Sequence, residues 1–169
     1  MKIKILIPIF NDWQSVAKLL EEINDLSISS EFEISVIIIN DASNHDRQNE
    51  DKTFNNIDSI KILNMKKNQG HSRCIATGLR YIYEKEEFDY VIPMDGDGED
   101  RPAEIKEFID QIKNSNGKAI AGKRIKRSEN LFFKTCYQLH KLITFTFTGK
   151  SINFGNFTII LKIINNYIY

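Results

Sequence analysis

Residues 88–102 read FDYVIPMDGDGEDRP, a short apolar run that ends in a cluster of carboxylates. Residues 90–94 are apolar with β-branched members, which predicts a buried strand, although a run this short is also compatible with a buried helix. Asp95 and Asp97 follow directly, and Gly96 between them lets a ligand approach the backbone closely. Because Mg²⁺ is usually held by one or two carboxylates and substrate phosphates, the pair predicts a site for a divalent cation and a diphosphate.

Three other interpretations of this stretch compete with the metal site. A calcium-binding EF-hand loop starting at Asp95 would need glycine at its sixth position and glutamate at its twelfth, where Asp100 and Lys106 stand. A dinucleotide-binding fingerprint starting at Gly96 would need its third glycine where Arg101 stands. A solvated acidic turn is the third alternative and stays open on this stretch alone, since loops are commonly polar.

The composition predicts one ordinary globular domain. The chain has 169 residues, of which 41% are hydrophobic and 27% charged, and its formal net charge is zero. Cys74 and Cys136 give neither a disulfide framework nor a zinc-ligand spacing with the three histidines, which favours a reducing compartment. The sequence shows no cleavable signal and no run of 18 or more apolar residues. We therefore expect a cytoplasmic protein that does not cross a membrane.

The charge is unevenly distributed along the chain. Residues 1–117 hold 14 basic and 22 acidic side chains, whereas residues 118–150 hold eight basic side chains and one acidic. This basic flank suits anionic phosphates or lipid headgroups, and a plain solvated surface is the alternative. Within it, residues 131–147 interleave aromatic side chains with Lys134 and Lys141, which is typical of a helix lying on anionic lipid or of one packed on the sheet. Peripheral contact with the inner face of the plasma membrane is thus expected.

Strand and helix patterns alternate along most of the chain. Strands are predicted at residues 3–9, 34–39, 57–65, 90–94 and 118–122, and helices at residues 13–26, 70–83, 102–114 and in a phenylalanine-rich segment ending near residue 147. This alternation predicts an α/β fold with a mostly parallel central sheet and helices on both faces. In such sheets, ligands bind beyond the carboxyl ends of the strands. Three predicted strands end in polar clusters, at residues 10–12, 40–43 and 95–100, so we expect one site at that edge.

Five separated motifs resemble those of the family 2 glycosyltransferases. In chain order they are IPIFND at 7–12, IINDAS at 38–43, NQGHSRCIATGL at 68–79, MDGDGEDRP at 94–102 and GKR at 122–124. The resemblance covers about residues 3–127 and is nearest to the dolichyl-phosphate mannose synthases and bacterial polyprenyl-phosphate glycosyltransferases. It implies a GT-A fold, with a nucleotide-sugar-binding core over residues 1–127. Residues 128–169 would then be a partial acceptor or membrane-proximal region, shorter than the family's usual one.

The same resemblance implies roles for individual residues. The first motif would line the base and ribose pocket, the second would hydrogen-bond the base, and the third would lie near the nucleotide. The residues concerned are Pro8, Phe10, Asp12, Asp41, Gly70 and Arg73. Asp95 and Asp97 would form a DxD pair for Mg²⁺ or Mn²⁺, with Asp97 the more direct ligand and a catalytic residue. Arg124 would face the diphosphate, also as a catalytic residue.

The implied activity is inverting, metal-dependent transfer of a sugar from a UDP- or GDP-sugar to an acceptor in cell-envelope glycan synthesis. Cleaving the sugar–diphosphate bond builds negative charge, which a bound metal offsets by several kcal/mol. Arg124 or Arg127 would add to that effect. A hydroxyl acceptor needs a general base, whereas a phosphate is already anionic. Because no Asp or Glu follows Glu129, the sequence favours a polyprenyl phosphate as acceptor.

The chain departs from the family pattern after the second strand, and other functions stay open. The family's usual Asp-Asp-Gly-Ser is here Asn40, Asp41, Ala42 and Ser43. A nucleotidyltransferase would share the architecture, but IPIFNDW lacks the glycine- and lysine-rich phosphate loop expected of one. A nucleotide-sugar-binding remnant without turnover is a non-enzymatic alternative. No nucleic-acid partner is expected.

His71 and Cys74 form one further candidate constellation, because they stand three residues apart at the start of a predicted helix. A thiol and an imidazole at that spacing can form a nucleophile and its base. Chance neighbours on a helix are the alternative, and it is favoured because the sequence offers no third group to orient the imidazole.

Overall fold

A computed structural model describes residues 1–26, 31–45, 52–97, 100–112, 120–121, 146 and 158–161 of the chain. The chain divides into two compact units, one formed by Met1–Ile120 together with Phe157–Tyr169, the other by Ala121–Asn156. In the second unit the structure describes only Ala121, which ends a short strand, and Thr146, which is helical.

The first unit is built on a six-stranded sheet flanked by helices. In chain order the elements are β1 (Lys2–Ile9), α1 (Trp13–Asn24), β2 (Glu33–Asn40), β3 (Ser59–Asn64), α2 (His71–Lys85), β4 (Tyr90–Pro93), α3 (Pro102–Ile112), β5 (Ile120–Ala121) and β6 (Thr158–Leu161). The strand order is β3-β2-β1-β4-β6-β5. β1 to β4 pair in parallel, whereas β6 pairs antiparallel with β4. The predicted α/β fold with a mostly parallel sheet is thus confirmed.

The predicted elements differ from the observed ones mainly at their ends and near the end of the chain. The third strand is shorter than predicted, because residues 57–58 precede β3 and Met65 follows it. β6 was not predicted, since four apolar residues in an apolar tail carry no periodicity of their own. Of the strand predicted at 118–122, Ile120–Ala121 is described. The predicted phenylalanine-rich helix lies outside the described residues, apart from Thr146.

The sheet is covered by helices on both faces, as its sequence pattern predicts. Alternate residues of a strand point to opposite faces, so a strand buried on both sides is apolar throughout. One face packs against α1 and α3 and the other against α2. The buried residues of α1 recur at helical spacing: Val16, Leu19, Leu20 and Ile23. No helix in the described part of the chain is long and apolar enough to cross a membrane.

The start of α2 is positioned by close packing of its middle against the sheet. A Cβ atom added to Gly78 would lie 2.3 Å from Leu6 Cδ1 and 3.0 Å from Ile39 Cγ1, so only glycine lets the helix approach this closely. The apolar residues of α2 that face the sheet include Cys74 and Ile82, both fully buried. This approach brings the first turn of α2 to the edge where the parallel strands end.

The other end of α2 is fixed by a largely buried ion cluster. Glu86 follows α2, and its carboxylate accepts from Lys61 Nζ at 2.5 Å and lies 3.6 Å from Lys4 Nζ. The Lys4 and Glu86 side chains are only 11% and 9% exposed. Burial acts to raise the pKa of Glu86, but the hydrogen bond and charge of Lys61, with the charge of Lys4, lower it below its ordinary value. The cluster therefore stabilises the ionised carboxylate where α2 meets the sheet.

Candidate functional site

The three polar strand ends meet at one edge of the sheet. β1 lies between β2 and β4. Ile9 pairs with Asn40, and Leu6 pairs with Pro93. Because these strands run parallel, the residues that follow β1, β2 and β4 emerge side by side. The convergence predicted from the sequence is confirmed.

The loops after β1 and β2 are joined by hydrogen bonds from backbone N–H groups to short polar side chains. The Asn11 N–H donates to Ser43 Oγ at 2.8 Å, and the Asn44 N–H donates to Asn11 Oδ1 at 2.7 Å. The Ser43 N–H donates to Asn40 Oδ1 at 3.0 Å. Asn40 also reaches β3, since its side-chain amide donates to Asn64 Oδ1 at 2.9 Å. These bonds fix the backbone of the loops after β1 and β2, which together form the rim of the site.

Ala42 adopts a backbone conformation that suits glycine better. Its φ is +58°, in the left-handed region that costs a residue with a Cβ atom roughly 1–2 kcal/mol. The family pattern that this chain resembles has glycine at this position, so the alanine introduces strain there. Asn11 has a similar φ of +59°. Asparagine tolerates that region because its side chain forms local hydrogen bonds.

Asp41 connects the end of β2 to the start of α2. Its side chain is 4% exposed, with Oδ1 accepting from the Gln69 N–H at 2.7 Å and Oδ2 from the Gly70 N–H at 2.8 Å. Its own N–H donates to the Ile9 carbonyl at 2.8 Å. Both carboxylate oxygens therefore hold the turn that leads into α2. The base contact implied for Asp41 by the family resemblance stays a prediction.

Cys74 lies directly behind Asp41 and is fully buried. Burial, and then the hydrogen bond and charge of Asp41, raise the pKa of its thiol to about 11. A thiol with so high a pKa is almost entirely protonated near neutral pH and is a poor nucleophile. The imidazole of His71 contacts Asp95 rather than this thiol. The geometry therefore disfavours a thiol–imidazole pair.

Gly70 directly precedes α2 and adopts a backbone conformation that requires glycine. Its φ is +85°, and a Cβ atom there would meet nothing within 4 Å. Conformation rather than lack of room thus requires the glycine. Arg73, in the first turn, is exposed, and its guanidinium donates to Gln69 Oε1 at 2.7 Å. The two residues lie at the predicted edge, and their contact with a nucleotide stays a prediction.

The carboxylate cluster after β4 is held on one side by α2. Asp95 Oδ1 lies 2.7 Å from His71 Nε2, and the Asp95 N–H donates to Asp100 Oδ2 at 2.9 Å. The side chains of Asp95 and His71 are 32% and 53% exposed. Asp97 is exposed at the tip of the turn. The cluster is therefore anchored at Asp95, and Asp97 is accessible to solvent.

Gly96 seats this turn against β1. A Cβ atom added to Gly96 would lie 3.0 Å from the Pro8 carbonyl oxygen and 3.3 Å from Ile7 Cγ2. The glycine thus lets residues 95–97, the DxD turn, approach the β1 backbone, as glycine does where two backbones come close. The turn and the rim formed by β1 and β2 are direct neighbours.

The residues after β1 differ in how much surface they offer to a ligand. Pro8 is buried in β1, whereas Phe10 is 47% exposed, unusual for a large apolar side chain. Asp12 is exposed and caps α1, because its Oδ1 accepts from the Ser15 N–H at 3.1 Å. Phe10 therefore offers an open aromatic face at the rim, and Asp12 has a structural task of its own.

Asp95 and Asp97 fit a hard divalent cation through the chemistry of their donor atoms. Both offer carboxylate oxygens, the ligands that Mg²⁺ and Mn²⁺ prefer. Among the residues that the structure describes, no group of three or more His, Cys, Asp or Glu side chains could hold a metal ion by itself. A cation at this pair would therefore complete its coordination with water or with phosphate oxygens.

A groove of about 750 Å³ runs beside this edge, between the end of β3 and the outer face of α2. Its basic lining residues are Lys66, Lys67, Arg73 and Arg80. Arg73 and Gln69 belong both to the groove and to the rim of the site. The cavity thus lies on the β3 flank of the edge and not around Asp95.

The structure brings together most of the predicted site residues and adds one that sequence reasoning assigned otherwise. Arg124 lies outside the described residues, so its predicted role stays untested. His71 was considered only as a partner of Cys74. His71 and Asp95 are 24 positions apart in the sequence. The one sequence signal that could have pointed to their contact is that His71 lies in the third family motif and Asp95 in the fourth.

Comparison with known proteins identifies relatives of this chain. The family model for glycosyl transferase family 2 matches residues 4–163. An uncharacterised glycosyltransferase of Synechocystis sp. is 28% identical over 140 residues, covering 76% of this chain and 40% of the relative. An uncharacterised protein of Methanocaldococcus jannaschii is 22% identical over 121 residues, covering 70% of this chain and 50% of the relative. The chain thus spans half or less of the length of these relatives.

Solved structures share the fold at low sequence identity. TarS of S. aureus, residues 1–349, superposes with a TM-score of 0.55 at 17% identity, covering 76% of this chain and 39% of TarS. Its complex with UDP-GlcNAc gives 0.54 at 17% identity, with 77% and 37% covered. The mannosyltransferase PcManGT of Pyrobaculum calidifontis, in complex with GDP-Man and Mn²⁺, gives 0.50 at 15% identity, with 72% and 35% covered.

Proposed function

Because this chain belongs to glycosyl transferase family 2 and has the GT-A fold, we propose that it transfers a sugar from a UDP- or GDP-sugar to an acceptor. One observation carries the proposal. The DxD turn at Asp95 and Asp97 lies against the backbone of β1, beside the first turn of α2. The exposed Phe10 follows β1 at the same edge of the sheet, so this edge suits a nucleotide diphosphate whose phosphates meet a cation at the carboxylates and whose base meets Phe10.

The donor class rests on the site and on structural neighbours. TarS has been crystallised with UDP-GlcNAc and PcManGT with GDP-Man and Mn²⁺. Their complexes support a nucleotide-sugar donor and a divalent cation for the present chain. Phe10 would pack on the base, and Arg73 would lie near the nucleotide. Asp41 would contact the base and would hold the Gln69–Gly70 turn that borders the same pocket.

The residues of this chain would act by binding and orienting the donor. Asp95 and Asp97 would hold Mg²⁺ or Mn²⁺, with Asp97 the more direct ligand. The bound cation would offset the negative charge on the departing diphosphate, an effect worth several kcal/mol. The hydrogen-bonded rim would keep the sugar–phosphate bond aligned for attack from the opposite face, which inverts the anomeric carbon. Arg124 would add positive charge at the diphosphate.

We further propose a polyprenyl phosphate as the acceptor, in the manner of the polyprenyl-phosphate branch of the family. Its phosphate is an anionic nucleophile and needs no general base. The basic residues 118–150 support this class of acceptor through their excess of positive charge. They would also place the enzyme at the inner face of the plasma membrane.

A ligand panel tests the donor and the metal together. Thermal unfolding is measured with UDP, GDP and their sugars, with and without Mn²⁺, because binding to the folded state raises the apparent melting temperature. We expect one nucleotide to stabilise the chain only with Mn²⁺, and Asp97→Asn to remove that shift while leaving the unliganded melting temperature unchanged. Asp58→Asn, which changes an exposed aspartate directly before β3, is the matched control.

Each other outcome has a definite meaning. If no nucleotide shifts the melting temperature, the donor assignment is wrong. If Asp97→Asn lowers the unliganded melting temperature and keeps the nucleotide shift, Asp97 is a structural residue and not a metal ligand. If a nucleotide sugar binds with Mn²⁺ but is neither hydrolysed nor transferred to a polyprenyl phosphate, the chain is a binding module without turnover.

A further inference from the structure

We propose that His71 is the residue that positions Asp95 for cation binding, an inference that rests on the proposed function. The imidazole Nε2 lies 2.7 Å from Asp95 Oδ1. A carboxylate can only accept, so the imidazole N–H donates this bond. The DxD turn and the first residue of α2 come from distant parts of the chain, and this bond joins them.

The imidazole is attached to a backbone that is itself fixed. His71 is the first residue of α2 and follows Gly70, whose carbonyl accepts from the Arg73 and Cys74 N–H groups at 3.1 and 3.2 Å. The Gly70 N–H is held by Asp41 Oδ2 at 2.8 Å. The position of the ring at the edge is therefore set by the junction of β2 and α2, before any ligand arrives.

Asp95 in turn is held at both its backbone and its side chain. Its N–H donates to Asp100 Oδ2 at 2.9 Å, and its Oδ1 is occupied by His71. Within the part of the chain that the structure describes, Asp95 has a hydrogen bond at Oδ1 and none at Oδ2, and its side chain is 32% exposed. His71 thus holds one oxygen of Asp95 and leaves the other for a ligand.

Such an arrangement lowers the cost of binding a cation. A carboxylate that is free to rotate loses conformational entropy when it binds a cation. Hydrogen-bonded partners of metal ligands remove part of that cost, and losing one typically weakens metal binding about 10–100-fold. The hydrogen-bonded pair itself is partly exposed and contributes little to folding. Removal of His71 should therefore affect cation affinity far more than stability.

Mn²⁺ binding measured by electron paramagnetic resonance tests this directly, because the spectrum of free Mn²⁺ loses amplitude as the ion binds. Mn²⁺ is titrated into the full chain with saturating UDP or GDP. We expect His71→Ala to weaken Mn²⁺ binding by about 10-fold or more. His71→Gln should stay within about threefold of the parent, since its side-chain amide can donate to the same oxygen. Ser72→Ala, the exposed neighbour on α2, is the control and should bind as the parent does.

The outcomes separate this inference from the proposed function. If the parent binds no Mn²⁺ with either nucleotide, the metal-dependent function fails and the role of His71 fails with it. If the parent binds Mn²⁺ and His71→Ala binds it equally well, only the positioning role is wrong. If His71→Ala and His71→Gln are equally weak, the ring itself contacts the ligand, which also overturns positioning. The urea midpoint of His71→Ala should match that of the parent, as is usual for substitutions at exposed positions.

Discussion

Replacing Asp41 by Asn is expected to destabilise the fold, apart from any effect on ligands. The buried carboxylate accepts the Gln69 N–H at 2.7 Å and the Gly70 N–H at 2.8 Å. Asparagine keeps one of these acceptors and sets an amide group against the other N–H. The variant thus loses one hydrogen bond to a charged acceptor, worth about 1.5–3 kcal/mol, and leaves one buried N–H unsatisfied, which costs about 1–3 kcal/mol. The two costs describe partly the same loss, so they do not simply add.

We therefore expect the free energy of unfolding to fall by about 2–4 kcal/mol for Asp41→Asn and by roughly 3–6 kcal/mol for Asp41→Ala, which loses both acceptors. For a domain of this size, the smaller change lowers the melting temperature by roughly 5–15 °C. Urea unfolding followed by the fluorescence of Trp13, the single tryptophan, measures both variants against the parent. Trp13 is a local reporter, because its indole N–H donates to the His45 carbonyl at 2.8 Å.

The same measurement decides whether Asp41 has a structural role at all. Asp58→Asn, at an exposed position, should change the free energy of unfolding by less than about 0.5 kcal/mol. Hydrogen exchange at the Gly70 amide should become faster in Asp41→Asn, because either the Gly70 N–H or the adjacent Gln69 N–H loses its acceptor. An Asp41→Asn variant that unfolds like the parent and keeps slow exchange at Gly70 would refute the reasoning. Asp41 would then be a ligand contact alone.

Three other substitutions are tested by urea unfolding: one changes the loop after β2, and two change the packing of α2 on the sheet. Ala42→Gly should stabilise the chain by about 1 kcal/mol, because it removes the strain of φ +58°; no gain would mean an unstrained loop. Gly78→Ala should destabilise by about 1–3 kcal/mol, since the added methyl overlaps Leu6, despite alanine's better helix propensity. Glu86→Gln should cost about 3 kcal/mol by leaving Lys4 buried without its carboxylate. The parent should also lose stability as the pH falls below 4.5 through the lowered pKa of Glu86, and that part of the pH dependence should be missing from Glu86→Gln.

A fifth prediction concerns the membrane. Lys134→Glu with Lys141→Glu should release the protein from anionic liposomes at low salt, because each basic residue near such a surface contributes about 1 kcal/mol. Lys18→Glu with Lys106→Glu changes the charge equally at exposed positions of α1 and α3 and should leave binding unchanged. Co-sedimentation with liposomes measures both. Equal loss in the two double variants would mean that net charge alone, and no particular surface, drives the binding.

The elements that the sequence predicts well are those whose apolar pattern is long enough to admit one interpretation. Residues 34–39 are apolar except for Ser35 and rich in β-branched side chains, which favours a strand covered by helices on both sides, as β2 is. The spacing of Val16, Leu19, Leu20 and Ile23 likewise admits only a helix. β6 has four residues and a partner about seventy positions earlier in the chain, so neither its period nor its neighbour could be inferred.

The sequence predicts at which edge of the sheet the site lies, but not which residues there are in contact. Parallel strands force the residues after β1, β2 and β4 together, so any polar residues there become neighbours. Which of them touch depends on the angle and depth of α2. Those are set by Gly78 against Leu6 and by Asp41 at the Gln69–Gly70 turn, and no local pattern encodes either contact. For this reason the contact between the imidazole of His71 and Asp95 was not predicted from the sequence.

The departures of this chain from the family's second motif affect stability more than the geometry of the site. Asn40 still supplies an oxygen that accepts the Ser43 N–H, and Ala42 still turns the chain with a positive φ. Of the two residues that the motif and this chain share, Asp41 and Ser43, Asp41 is the one that holds the start of α2. Since α2 carries His71 to Asp95, the second motif acts on the DxD turn through the helix. A change at Asp41 should therefore disturb the carboxylates at the end of β4, even though the two do not touch.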